Sequence, residues 1–214
     1  MTRKLKSSAR KSRRNTKLFV VGFIVILAVA IGAVFVFAQS NLKGENNGNT
    51  QPSSNNNTNG AKLEGPLKVL LQTSMGNITI QLRDDKPITA GNFRDLVEQG
   101  LYDGTIFHRV TSFLIQGGSI TQTVPPINDE LGGNNTNVRA TVAMAKSFPN
   151  TATSGFFINV EDNCNQSAEV DKTYTVFGYV TEGMEVVDAI SKVAADADEK
   201  PLQGVTIIKA LVLP

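Results

Sequence analysis

The sequence of 214 residues has room for one folded domain with additional segments, and its formal net charge of +2 combines two regions of opposite charge. Residues 62–214 hold 12 Lys or Arg and 18 Asp or Glu, a formal charge of −6, which argues against nucleic acid as a partner of this region. Cys164 is the only cysteine, so an intramolecular disulfide is excluded. The sequence shows no metal-ligand spacing and no phosphate-binding glycine loop, and we therefore predict no metal and no cofactor.

The N-terminal segment predicts a single-pass membrane anchor. Residues 1–17 carry eight Lys or Arg and no acid, and residues 18–38 form a run of 21 residues without a charge. A helix of this length spans the ~30 Å hydrocarbon core of a bilayer. Because basic flanks stay in the cytoplasm, we expect a transmembrane helix in the cell membrane, with the N-terminus cytoplasmic and the rest of the chain outside.

The alternative for the N-terminal segment is a signal peptide cleaved after Ala38, which would release a secreted protein. The apolar core of a signal peptide is usually ~7–15 residues long, so the longer run at 18–38 favours a retained anchor. Residues 39–61 are rich in Asn, Gly, Ser and Thr and cannot bury enough apolar surface to fold. They are predicted to be a flexible linker to a globular domain at 62–214.

The first elements of that domain are predicted to be a hairpin and a helix. Apolar residues recur at every second position in residues 67–71 and again in residues 78–82, with Gly76 between the two runs. Pro87 suits the first turn of a helix, and Gly100 suits its end. The apolar stripe of this helix comprises Phe93, Leu96 and Val97.

The rest of the domain is predicted to be mostly β-structure. Short strand patterns lie at residues 105–110, 113–116, 140–145, 156–160, 175–180 and 205–212, with loops rich in Gly, Asn and Pro between them. A second helix fits residues 184–193. Many short strands separated by turn residues favour a closed or nearly closed antiparallel barrel, and the two helices would cap its ends.

The stretch FHRVTSFLIQGG holds the only histidine of the sequence and an arginine among apolar neighbours. Strand alternation predicts Phe107 and Arg109 on one face, with His108 on the other. If the chain folds back, Gln116 comes to lie beside Arg109. Two interpretations of Arg109 are open from this spacing: a functional guanidinium above an apolar floor, or an anchor for a loop carboxylate. No catalytic triad is predicted, since no Asp, Glu or Cys is close to His108 in the sequence.

Five strings together resemble the cyclophilin-type peptidyl-prolyl cis-trans isomerases, and the prokaryotic members most. They are YDGTIFHRV, SFLIQGG, ATVAMA, SGFFINV and TVFGYVTEGMEVVDAI, and the resemblance extends over residues 67–212. It implies a closed eight-stranded antiparallel β-barrel capped by two α-helices, and a rotamase that turns X-Pro peptide bonds in proline-containing polypeptides. Since the N-terminal segment predicts a domain outside the cytoplasm, the implied function is to assist the folding of exported or membrane-proximal proteins. The alternative is a non-catalytic or weakly active module that binds proline peptides as a chaperone.

The resemblance also implies roles for particular residues. Arg109 matches the catalytic arginine, and Gln116 matches the glutamine of the active face. Phe157 matches the floor of the proline pocket, and Ala145 matches a position whose backbone meets the peptide. The complete set of implied substrate-binding residues is Phe113, Leu114, Ala145, Lys146, Gly155, Phe157, Gln166 and Tyr174.

Three positions depart from the pattern of the family. Gly155 stands where glutamine is usual, and Lys146 where asparagine or arginine is usual. Asn165 and Gln166 stand where the pocket wall usually has an aromatic residue followed by leucine. These departures imply a wetter groove wall with less polar reach, and they predict that cyclosporin binds weakly.

Overall fold

The computed structural model describes residues 67–165 and 167–213. The predicted tail at 1–17, span at 18–38 and linker at 39–61 lie outside the described residues, and so does Gln166. Within the part that is described, no helix combines the length and the apolar character needed to cross a membrane.

Eight strands form a closed barrel in which every pair of neighbours is antiparallel, as the sequence predicted. The strands are β1 Lys68–Thr73, β2 Gly76–Leu82, β3 Ile106–Val110, β4 Leu114–Gly117, β5 Thr141–Met144, β6 Phe156–Asn159, β7 Val176–Glu182 and β8 Val205–Leu213. Their order around the barrel is β1-β2-β7-β5-β6-β4-β3-β8. The barrel closes where β8 pairs with both β1 and β3.

The core of the domain is filled by side chains, and aromatic rings from strands, a helix and a loop pack together in it. Phe93 lies 4.9 Å from Phe177, 5.1 Å from Tyr102 and 5.3 Å from Phe156, measured between ring centroids. The ring of Phe107 meets that of Phe156 edge to face. Such tilted and edge-on contacts are the favourable arrangements of aromatic pairs. Because the interior is packed, a binding site must lie on the outer face or at the rim.

Two helices bury apolar faces against the barrel, as predicted. Helix α1 spans Pro87–Glu98, and its first turn is held by Glu130, whose carboxylate accepts from the backbone N–H and the hydroxyl of Thr89 at 2.8 and 2.7 Å. Helix α3 spans Met184–Ile190 and buries Val187 and Ile190.

A third, short helix was not predicted from the sequence. Helix α2 spans Ala168–Thr173 and begins after Ser167, whose hydroxyl accepts from the N–H of Glu169 at 3.2 Å. None of its side chains is buried. Since it has no apolar stripe, the sequence gives no periodic signal from which it could be predicted.

Candidate active site

A β-bulge in β3 determines the face of the strand on which Arg109 lies. Phe107 pairs with Gly117 and Arg109 pairs with Gln116, so His108 has no partner residue on β4. The extra residue interrupts the alternation of side chains. Phe107 is fully buried in the barrel, whereas the side chain of Arg109 is 26% exposed on the outside. The predicted shared face of Phe107 and Arg109 is therefore wrong, because strict alternation assumed a regular strand.

The glycine pair after Gln116 makes this packing possible. A Cβ at Gly117 would lie 2.9 Å from the ring of Phe107. Gly118 has φ of +74°, and a Cβ there would lie 2.6 Å from the ring of Phe156. Both positions exclude a side chain, one by contact and the other by contact and backbone conformation.

Five residues form a row across five neighbouring strands on the outer face. The pairs are Arg109 with Gln116, Gln116 with Phe157, Phe157 with Ala143, and Ala143 with Val176. Neighbouring strands lie ≈ 4.7–4.9 Å apart, so the row runs continuously from a guanidinium, through an amide, to an apolar surface.

An apolar cluster separate from the barrel core surrounds this row, and we call it the outer cluster. It comprises Leu114, Ala143, Phe157 and Val176, with Phe113, Ala145 and Tyr174 packed against it. The rings of Phe157 and Tyr174 meet edge to face at 5.3 Å. The guanidinium carbon of Arg109 lies 5.9 Å from the centre of the Phe113 ring, within the range of a cation–π contact. The structure thus brings together seven of the ten predicted site residues, Gln116 among them, and it adds Ala143 and Val176, which were not predicted.

The guanidinium of Arg109 is held at one edge only. Its Nε donates to Oε2 of Glu199 at 2.5 Å. Within residues 67–165 and 167–213, its two Nη atoms donate no hydrogen bond, and the amide of Gln116 makes none. The two interpretations of Arg109 are therefore compatible, because the same side chain binds a loop carboxylate and lies beside the outer cluster.

Lys146 binds a carboxylate through its ammonium. Its Nζ forms an ion pair with a carboxylate oxygen of Asp129, and its side chain is only 4% exposed. Asp129 also accepts from the N–H of Asn150 at 3.0 Å. Lys146 therefore ties down the chain that follows β5, and its predicted contact with substrate stays a prediction.

Gly155 and Asn165 have room around them. A Cβ at Gly155 would lie 3.6 Å from the Cβ of Ala145, an ordinary contact distance, so the position can accept a side chain. The N–H of Ala145 donates to the carbonyl of Gly155 at 2.9 Å. Asn165 is exposed at the end of the 3₁₀ turn Asn163–Asn165.

Three residues that position this site were not predicted from the sequence. Asn163 donates to the carbonyl of Phe113 at 3.0 Å, and Asn135 donates to the carbonyl of Tyr174 at 2.9 Å. The third is Glu199, which binds Arg109. Each contact joins segments far apart in the chain, for which periodicity offers no signal.

His108, the bulged residue, has its pKa lowered. Burial is the larger cause, because it disfavours the charged imidazole, and the nearby guanidinium of Arg109 is the second. Its Nδ1 lies 3.4 Å from the hydroxyl of Ser119. Both causes favour the neutral imidazole.

We expect the imidazole to titrate below its ordinary pKa of ~6.5. Because the folded chain then binds the proton more weakly than the unfolded chain, the contribution of His108 to stability is fully present above pH ~6.5. It is lost as the pH falls from that value towards the depressed pKa of the folded state. NMR titration of this single imidazole checks the direction, and unfolding of a His108→Gln variant at matched pH separates it from the carboxylates. An imidazole pKa above ~6.5 would contradict the expectation.

The comparisons with known proteins agree with this barrel and this site. Residues 68–212 match the model of the family described as cyclophilin type peptidyl-prolyl cis-trans isomerase/CLD. The chain is 46% identical over 138 residues to peptidyl-prolyl cis-trans isomerase A of Dickeya dadantii, covering 60% of this chain and 73% of the relative. It is 44% identical over 162 residues to peptidyl-prolyl cis-trans isomerase cyp18 of Streptomyces antibioticus, covering 68% and 98%.

A solved structure supports the same assignment. The cyclophilin type peptidyl-prolyl cis-trans isomerase of Cryptosporidium parvum, crystallised in the presence of the dipeptide Ala-Pro, matches with a TM-score of 0.63 and 26% identity, covering 69% of this chain and 99% of that one. The fold and the outer face define a cyclophilin-like barrel. The chain belongs to the cyclophilin type peptidyl-prolyl cis-trans isomerase family, and the domain is an isomerase of X-Pro bonds.

Proposed function

We propose that Arg109 and Gln116, with the outer cluster, turn X-Pro bonds of exported or membrane-proximal proteins and so assist their folding. The observation that carries the assignment of residues is the row in which Arg109 pairs with Gln116 and Gln116 with Phe157 on adjacent strands. It sets a charged donor, a neutral amide and an aromatic floor side by side on three adjacent strands.

The reaction needs a donor for a twisted amide and no nucleophile. Rotation about a peptide bond has a barrier of ~18–20 kcal/mol, because resonance gives the C–N bond double-bond character. In the twisted state the prolyl nitrogen becomes pyramidal and regains its lone pair. A guanidinium N–H that bonds this nitrogen stabilises the twisted state more than either planar state, and only such differential binding accelerates the step. Arg109 suits this task because its fork is planar and always charged.

The outer cluster holds the proline ring and excludes water. Phe113, Leu114 and Phe157 offer an apolar surface that keeps the ring still while the acyl side rotates. A dry site also strengthens the bond from Arg109. Since the N–H of Ala145 is bound to Gly155, the group that Ala145 offers to a peptide is its carbonyl. Gln116, whose amide is unengaged within the described part of the chain, can hold the carbonyl of the residue before proline.

The proposed location is tested by protease added to intact cells that express the full chain. The uncharged run at 18–38 behind a basic segment motivates the expectation that the domain is removed and a short membrane-bound fragment remains. Lysed cells are the control for total cleavage. A domain that is protected in intact cells and cleaved after lysis would contradict the location, and a mature chain that begins at Gln39 in the medium would favour the secreted form.

The wall at Asn165 and Gln166 predicts weak binding of cyclosporin. An apolar side chain that becomes fully buried contributes ~1.5–3 kcal/mol, and neither residue offers one. We expect the double substitution Asn165→Trp with Gln166→Leu to tighten binding at least tenfold in calorimetry. The control, alanine at both positions, should change the affinity far less. Nanomolar affinity of the unmodified protein would show that the wall does not limit binding.

A further inference from the structure

The carboxylate that binds Arg109 comes from a distant part of the chain. Glu199 lies in the connection between α3 and β8, and its Oε2 accepts from Nε of Arg109 at 2.5 Å. The backbone carbonyl of Glu199 accepts from the N–H of Val110 at 2.8 Å. Two hydrogen bonds therefore fix Glu199 against β3, one at Arg109 and one at the next residue.

The turn that carries Glu199 is tightly closed. Asp196 donates its N–H to the carbonyl of Lys200, and its own carbonyl accepts from the N–H of Glu199, at 2.9 and 3.1 Å. The carboxylate of Asp196 accepts from the N–H of Asp198 and of Lys200 at 2.9 and 3.0 Å. Below the turn, Ala195 and Pro201 form an antiparallel bridge.

The backbone of Glu199 is in the left-handed region, with φ of +64°. This conformation is unfavourable for a residue other than Gly, Asn or Asp, and it persists only where the surrounding structure imposes it. Here the turn around Asp196 imposes it and places a carboxylate where glycine or asparagine would suit the backbone better. The choice of glutamate at this position thus points to its side chain, which reaches Arg109.

A hydrogen bond at Nε orients a guanidinium and leaves its other N–H donors available to a ligand. The group is planar and offers five N–H donors in a fixed fork, so one bond at Nε fixes its plane and leaves both Nη atoms available. The other candidate for this task, Gln116, makes no side-chain hydrogen bond to Arg109 within the described residues. The partial neutralisation of the guanidinium by Glu199 is tolerable, because the twisted amide carries no net charge and needs an aligned donor.

We propose that Glu199 is a positioning residue of the isomerase, which sets the plane and the reach of the Arg109 guanidinium over the outer cluster. This inference rests on the proposed catalytic role of Arg109. A misplacement of a reacting group by ~1 Å can reduce a rate by ~10²-fold. Loss of the carboxylate should therefore slow isomerisation while leaving the apolar contacts of the proline ring unchanged.

The test compares two amides of different length at this position in the full chain. Glu199→Gln keeps an acceptor that reaches Nε, whereas Glu199→Asn suits the left-handed backbone but is too short to reach it. We expect Glu199→Asn to lower kcat/KM for X-Pro isomerisation by about 10–100-fold and Glu199→Gln by less than about threefold. The dissociation constant of an Ala-Pro peptide should change by less than about threefold in both, because it reports ground-state contacts.

Asp198 supplies the matched control. It lies in the same turn, and within the described residues its side chain makes no hydrogen bond or ion pair, so Asp198→Ala should leave the rate unchanged. NMR of the Arg109 Nε–H should show slow solvent exchange in the unmodified protein and fast exchange in Glu199→Asn.

A double substitution separates the positioning role of Glu199 from the catalytic role of Arg109. If Glu199 acts through Arg109, Glu199→Asn should have no further effect on the rate in an Arg109→Ala background. The positioning role is overturned if Glu199→Asn matches Asp198→Ala while Arg109→Ala is inactive. It is equally overturned if Glu199→Asn lowers the rate as much without Arg109 as with it. An Arg109→Ala variant of full activity would instead overturn the catalytic assignment itself.

Discussion

Replacement of Arg109 by alanine is expected to lower kcat/KM for X-Pro isomerisation by ~10²–10³-fold, which corresponds to about 2.7–4 kcal/mol of lost stabilisation of the twisted state. The side chain lies on the outer face and is 26% exposed, so its loss leaves the barrel core intact. The binding of a proline peptide should weaken much less, because the ground-state contacts come from the outer cluster.

The conservative variant sharpens this expectation. Arg109→Lys should recover little activity, because one ammonium cannot bond Glu199 and also present a planar pair of donors to the peptide. The measurement is kcat/KM for X-Pro isomerisation beside the peptide dissociation constant from NMR titration, on variants with matched melting curves. Equal losses in rate and affinity would mean that Arg109 only holds the substrate. An unchanged rate would assign catalysis elsewhere.

Replacement of Asp129 by alanine is expected to lower the free energy of unfolding by ~3–5 kcal/mol, the cost of leaving one partner of a buried ion pair without the other. The side chains of Lys146 and Asp129 are 4% and 10% exposed, and Asp129 also holds the N–H of Asn150. The variant Asp129→Ala therefore leaves the buried ammonium of Lys146 without its carboxylate and releases the loop that follows β5.

The double variant Lys146→Met with Asp129→Ala should lose less stability than Asp129→Ala alone, because no uncompensated charge remains. Urea unfolding measures the loss in both variants, provided that the slope of the unfolding free energy against urea concentration is unchanged. The control is Glu169→Ala, which breaks the exposed ion pair with Lys172 and should cost ~1 kcal/mol or less. A loss in Asp129→Ala no larger than in this control would show that the pair is not effectively buried.

The sequence predicted the barrel well, because inward and outward positions alternate along its strands. All eight strands, and the two helices with apolar stripes, lie where that pattern placed them. Helix α2 was missed because it buries no side chain. The bulge at His108 was missed because it appears only in the pairing of β3 with β4. A one-residue insertion in a strand leaves no trace in composition, although it changes which face Arg109 occupies.

Five residues of the outer cluster were predicted from family motifs and are brought together, whereas Ala143, Val176 and the supporting contacts were not predicted. Asn135, Asn163 and Glu199 act through hydrogen bonds between segments far apart in the chain. The resemblance gave Lys146 a contact with the substrate, whereas in the structure its ammonium binds Asp129. Motifs identify residues that touch a substrate, but long-range hydrogen bonds depend on loop conformations that no local pattern encodes.

The closure of the barrel by β8 has a consequence during synthesis. Lys68 at the start of β1 pairs with Leu213 near the end of β8, so the edge of β1 that faces β8 stays unpaired until almost the whole domain is made. At ~5–20 residues per second this interval is roughly 7–30 s, during which β1 exposes an unpaired edge to other chains. The turn that holds Glu199 is made just before β8. The closed barrel and the contact between Glu199 and Arg109 are therefore completed almost together, at the end of synthesis of the domain.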